Sequence, residues 1–131
     1  MLRLLALVPL VGGCGEELGP ERFATATVTG RVRIGDRPLG KGWLEFQPTQ
    51  GTRGHLRSAR LAADGSFRVE RVPVGCNALR LAGVRLGPTG DALLDAFLAG
   101  RFNLGYRVRG PTEDLDLDLR GLRRLLSRSP C

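Results

Sequence analysis

Apolar and polar residues alternate along several stretches of the chain, and a period of two marks a strand that buries one face and wets the other. Over residues 24–34, Ala26, Val28, Gly30, Val32 and Ile34 share one parity, while Thr25, Thr27, Thr29, Arg31 and Arg33 share the other. Leu44 and Phe46 alternate with Trp43 and Glu45 over residues 40–48, which leaves Trp43 out of phase with the core, as a lid over a sheet edge or a contact for a partner. Phe67 and Val69 point inward over 66–71, Leu79 and Leu81 are in phase over 76–82, and Leu115, Leu117 and Leu119 alternate with Asp114, Asp116 and Asp118. Residues 106–109 suit one further short strand.

Turn residues separate these strands. Asp64-Gly65 is a strong hairpin signal, because Gly, and to a lesser degree Asp, accepts the positive φ of a tight turn. It predicts that residues 55–61 and 66–71 pair as two arms. Gly35-Asp36-Arg37-Pro38-Leu39 forms a second turn, and Val72-Pro73-Val74-Gly75 ends a strand, since proline cannot donate to a ladder. Between Gly83 and Gly105 the pattern changes: Gly87, Pro88 and Gly90 break the chain, and residues 91–99 read as a two-turn helix with Asp91 as N-cap and Gly100 past its end. Residues 121–131 form a basic tail in which Leu122, Leu125 and Leu126 make one amphipathic turn or stay disordered. Short strands at this turn spacing predict one small all-β sandwich.

The N-terminus changes the picture. Arg3 precedes a short apolar run over residues 4–10, too short to span a bilayer, which reads as a signal peptide over 1–13. Val11-Gly12-Gly13-Cys14 follows, with an aliphatic residue three before a cysteine and a small one directly before it. This resembles the lipobox of bacterial lipoproteins, which implies that the Cys14 thiol carries a diacylglycerol and that residues 14–23 tether residues 24–120. A plain secretory signal or an uncleaved apolar tail, with an incidental cysteine, is the other reading. Acyl chains contribute about 0.8 kcal/mol per buried methylene, so two or more hold a protein at a membrane. The expected location is therefore the cell envelope, on the periplasmic side or the outer surface.

Export brings an oxidising compartment, and Cys76 and Cys131 are the cysteines left to pair. Either they form a disulfide, or Cys76 is a buried small hydrophobe and Cys131 a free thiol on the tail. The formal charge of +7 comes from nineteen Arg and one Lys scattered along the chain. Scattered cations read as solvated strand faces, and they do not argue for nucleic acid. Arg31, Arg33 and Trp43 remain as a possible binding surface for an anionic polymer or lipid headgroups.

The ordered phrases Val28-Thr29-Gly30-Arg31-Val32, Gly35-Asp36-Arg37-Pro38-Leu39, Gly42-Trp43-Leu44-Glu45-Phe46-Gln47-Pro48, Ala63-Asp64-Gly65-Ser66-Phe67 and Val72-Pro73-Val74-Gly75 are similar to carboxypeptidase regulatory-like, or transthyretin-like, domains. The likeness covers residues 28–119. It implies a prealbumin-like antiparallel sandwich of about seven strands, here with a short helix before the sixth, and a non-catalytic accessory role. Cys76 and the Leu- and Ala-rich insert over 83–105 depart from the pattern. Transthyretin-like folds include an enzyme branch that opens a purine-derived ring with several histidines and a Tyr-Arg-Gly-Ser phrase; this chain has one histidine and lacks the phrase.

Candidate chemistry is sparse. His55 has no nucleophile phrase beside it. Asp114, Asp116 and Asp118 have calcium-loop spacing, yet a strand splays alternate carboxylates about 7 Å apart along one face. The expectations are no catalytic residue, no metal and no cofactor. The expected role is a structural or interaction module that meets the membrane through its anchor and an envelope protein or glycan through its surface. The alternative is a binding protein for an anionic envelope glycan or lipid surface, through arginines and Trp43.

Overall fold

The computed structural model of the chain describes residues 23–131. The signal peptide, Cys14 and the tether apart from Phe23 lie outside the described residues. The architecture is all-β: two four-stranded sheets packed face to face, with two short α-helices. The strands are β1 (Thr25–Ile34), β2 (Arg37–Pro38), β3 (Trp43–Pro48), β4 (Arg57–Arg60), β5 (Ser66–Pro73), β6 (Gly75–Ala82), β7 (Leu104–Val108) and β8 (Thr112–Asp118). The helices are α1 (Ala92–Leu98), between β6 and β7, and α2 (Leu122–Ser127), after a 3-10 turn at Leu119–Gly121. The strand beyond the seven expected is β2, two residues of the Gly35–Leu39 turn that pair with Arg33 and Ile34.

The first sheet centres on β1, which pairs with β2, β5 and β8; the second runs β4-β3-β6-β7. The inward residues are those the alternation marks, with Val72 added because β5 runs on to Pro73. Val28, Val32, Val69 and Val72 of the first sheet meet Leu44, Phe46, Leu79 and Leu81 of the second, each at most 1% exposed. Phe46 meets Tyr106 edge to face, with centroids 6.4 Å apart. Each such side chain contributes roughly 1.5–3 kcal/mol by leaving water, so these positions are among the larger single contributions to the fold's stability.

Two expectations are corrected. The Asp64-Gly65 turn does not join paired arms, because β4 pairs with β3 in one sheet and β5 with β1 in the other. The local turn is intact: the Gly65 amide donates to the Ala62 carbonyl and the Ala62 amide to the Ser66 carbonyl, at 2.8 and 2.9 Å. Gly65 has φ +83°, and the Val32 amide donates to its carbonyl at 2.9 Å, so the turn docks on β1 as it crosses between the sheets. The second correction is that β8 runs parallel to β1. β7 lies in the second sheet and ends beside Gly75, so the chain crosses to the first sheet at the end where β1 begins, and β8 must then run the same way.

Two of the three partners of β1, namely β5 and β8, carry a bulge near its start. Glu70 and Arg71 of β5 together oppose Thr27, and Glu113 and Asp114 of β8 together oppose Thr29. Arg71 and Asp114 take φ values of 58° and 59°, the left-handed backbone that admits the extra residue.

The helix is where the N-cap and glycine signals put it. The Asp91 carboxylate accepts from the Leu93 and Leu94 amides, and Gly100 follows with φ +74°. Leu94, Phe97 and Leu98 are buried in the core. The C-terminal segment also packs on the sandwich: Leu122 is 2% exposed, and Leu125 and Leu126 lean on the core.

Candidate interaction surface

The sandwich has two distinct ends. At the proximal end the chain enters: Phe23 lies edge-on to His55 at 5.8 Å, and the Val74 amide donates to the Ala24 carbonyl. The crossover from β5 to β6 is also here, held by the buried Asn77, whose Nδ2 donates to the carbonyls of Pro73 and Gly75 at 2.8 and 3.2 Å. At the distal end, about 30 Å away along ten-residue β1, the chain turns at Gly35, at Gly40 to Gly42, at Gly65 and at Gly83.

Cys76 and Cys131 meet at the proximal end and are joined, S–S 2.12 Å and Cα–Cα 5.8 Å. The Cys131 carbonyl accepts from Gln50 Nε2 at 3.1 Å, and Ser129 Oγ donates to the Gly105 carbonyl at 3.0 Å. The C-terminal segment is thereby tied across β6 and β7.

Arg31, Arg33 and Trp43 do not form one patch. Both arginines project from the outer face of the first sheet and Trp43 from that of the second, beside the buried Leu44. Arg33 is occupied: its Nε and Nη2 donate to the two Asp116 carboxylate oxygens at 2.8 and 2.7 Å, and its Nη1 lies 3.4 Å from Asp118. The hydrogen bond from Arg33 holds Asp116 below the usual carboxylate range, and the Gly35 amide, donating at 2.9 Å, does the same for Asp118. Arg31 lies 3.7 Å from Asp64, which is itself lowered by hydrogen bonds from Ser66. Asp116 and Asp118 of β8 thus serve an arginine across the parallel pair, while Asp114 sits in the bulge and makes no such contact among the described residues. A polar groove of about 490 Å³ runs over this face between Arg31, Arg33 and Asp116, and both of its arginines already have carboxylate partners.

Trp43 is 40% exposed and lies under Arg60, its cross-strand neighbour, with the guanidinium carbon 5.1 Å from the ring centroid. Its Cδ1 borders Gly83, where β6 gives way to an exposed connection toward α1.

That connection shapes a different surface. Val84, Leu86 and Pro88 lie along the distal end and, with Ile34, Pro38 and Leu39, line adjoining concavities of about 320, 550 and 270 Å³ that share Leu86. Leu86 is 42% exposed at their junction. Arg37, Lys41 and Arg85 rim one part and Arg120 another; among the described residues none of the four has an ion-pair partner. Asp91 and Asp95 stand on the α1 side, turned to local duties: Asp91 caps the helix, and Asp95 accepts from the Thr89 hydroxyl and amide at 2.7 and 2.9 Å. Apolar walls beside unpaired cations give this surface two kinds of contact to offer a ligand.

Sequence reasoning passed over this surface because its residues come from separate turns. The one available signal is Leu86, an apolar residue stranded in a run of Gly and Pro. No family model, curated protein or solved structure matches the chain, so the likeness to carboxypeptidase regulatory-like domains rests on the phrases quoted above.

Proposed function

We propose that the chain is a lipid-anchored protein of the cell envelope, built on a carboxypeptidase regulatory-like sandwich, that works as an interaction module and not as a catalyst. The observation that carries the reading is the open apolar concavity at the distal end, about 30 Å along β1 from where the chain enters the sandwich. With an anchor on Cys14, the proximal end faces the membrane and the concavity faces away from it. A partner outside the bilayer then has free access.

Metabolic labelling with an alkyne analogue of palmitate tests the anchor. The full chain takes up label and fractionates with membranes, and Cys14→Ala loses both. Membrane association that persists in Cys14→Ala overturns the anchor. A second reading, binding to an anionic glycan or lipid surface, draws support from Arg60 stacked over exposed Trp43. It requires retention on such polymers that falls with salt and is lost in Trp43→Ala.

A further inference from the structure

Resting on the reading of the chain as an interaction module, we propose that the distal concavity binds an extended, acidic polypeptide segment that carries apolar side chains between its carboxylates. Three observations point to that chemistry. The concavity is apolar where Leu86 meets Ile34 and Val84, so it takes aliphatic or aromatic side chains and repels a fully hydrated glycan. Its rim holds Arg37, Lys41 and Arg85 without an ion-pair partner among the described residues, so it favours carboxylates close to the anchoring side chain. Finally, the backbone from Val84 to Pro88 belongs to no helix or strand, and among the described residues its amides and carbonyls make no hydrogen bond. A peptide backbone laid along it would find donors and acceptors that an acyl chain cannot use.

The same geometry disfavours a lipid. The concavities are open to solvent, and Leu86 is half-exposed at their junction, so a single acyl chain would stay largely wet. A peptide that alternates apolar and acidic residues places one set of side chains in the cleft and the other on the rim.

The test uses the full chain, in phosphatidylcholine nanodiscs if it is isolated from membranes and in buffer if it is isolated soluble. The second case counts against the anchor and leaves the groove test intact. The probe is a fluorescent ten-residue peptide alternating Glu with Leu, followed by anisotropy, beside the same peptide with Gln in place of Glu. The Glu peptide binds; the Gln peptide binds about tenfold more weakly, and so does the Glu peptide to Leu86→Ser or to Arg37→Gln combined with Arg85→Gln. Equal binding of the two peptides, or affinity unchanged by Leu86→Ser, overturns the proposal. So does saturable binding of phosphatidylglycerol vesicles or dextran sulfate that these substitutions abolish while peptide binding is untouched.

A photoreactive residue at position 86, compared with one at exposed Leu56 of the proximal loop, separates this proposal from the broader reading. Adducts at 56 alone remove the groove and leave the module, and adducts at neither remove both.

Discussion

Opening the Cys76–Cys131 bridge separates what the C-terminal segment contributes by packing from what it contributes by covalent constraint. The bridge spans 55 residues of sequence, and on the chain-entropy model a loop of that length contributes about 4 kcal/mol by restricting the unfolded chain. A domain of this size has a total stability of about 5–15 kcal/mol, so the constraint is a large share of it. Packing would hold the segment less firmly: Leu122 is the one apolar residue of α2 buried outright, and its burial is worth about 1.5–3 kcal/mol. Cys131→Ser should therefore lower the urea midpoint by on the order of 2–3 M at an m-value near 1.5 kcal/mol/M. Hydrogen exchange should rise in α2 before it rises in β6. Cys76 is 3% exposed, so Cys76→Ser also buries a hydroxyl and should cost about 1–3 kcal/mol more than Cys131→Ser under reducing conditions. In excess reductant, wild type and Cys131→Ser should coincide. If Cys131→Ser instead unfolds within 0.5 M of the oxidised wild type, the bridge does not constrain the chain and the reasoning fails.

Two further outcomes follow from β1 and its neighbours. A Cβ on Gly30 would strike the Leu115 carbonyl oxygen of β8, and the backbone there is not left-handed, so Gly30→Ala tests the parallel pairing by sterics alone; thermal or urea unfolding should show a loss of about 1–3 kcal/mol, and unchanged stability would mean that β8 does not lie against Gly30. Asp116 and Asp118 are held below their ordinary value of 3.8, so their contribution is complete above that value and disappears as pH falls through the lower folded-state values. Unfolding titrations below pH 4 should show stability falling less steeply in Asp116→Asn than in wild type, and equal slopes would remove the Arg33 pairing as the cause.

The inward positions were legible because burial in a two-layer fold imposes a period that local residues obey: Val28 and Val32, Leu44 and Phe46, Leu79 and Leu81 all fall on it. Helix α1 was legible for a similar reason, since Asp91 and Gly100 act within a few residues of themselves. Partnership between strands was not legible at Asp64-Gly65. A hairpin and a crossing between sheets need the same positive φ and the same local hydrogen bonds, and only the distant contact of Gly65 with Val32 separates them. Nor does sequence spacing set Arg33 beside Asp116, because a parallel pair depends on which end of the sandwich the chain has reached.

The distribution of partners among the charges bears most directly on function. Asp64, Asp116 and Asp118 lie on the first sheet's outer face or its turns and engage Arg31 and Arg33, so the two arginines of that face's groove are already matched by carboxylates. An incoming polyanion would have to displace a two-pronged carboxylate from Arg33, and exposed ion pairs of this kind return little when exchanged. At the distal end no carboxylate pairs with Arg37, Lys41 or Arg85 among the described residues, and apolar walls stand beside them. A new carboxylate there meets a cation without first breaking a pair, and a neighbouring apolar side chain leaves water in the same step. Binding at this end should therefore respond both to salt and to the size of the apolar side chain. A ligand whose affinity followed ionic strength alone would have to sit elsewhere on the sandwich.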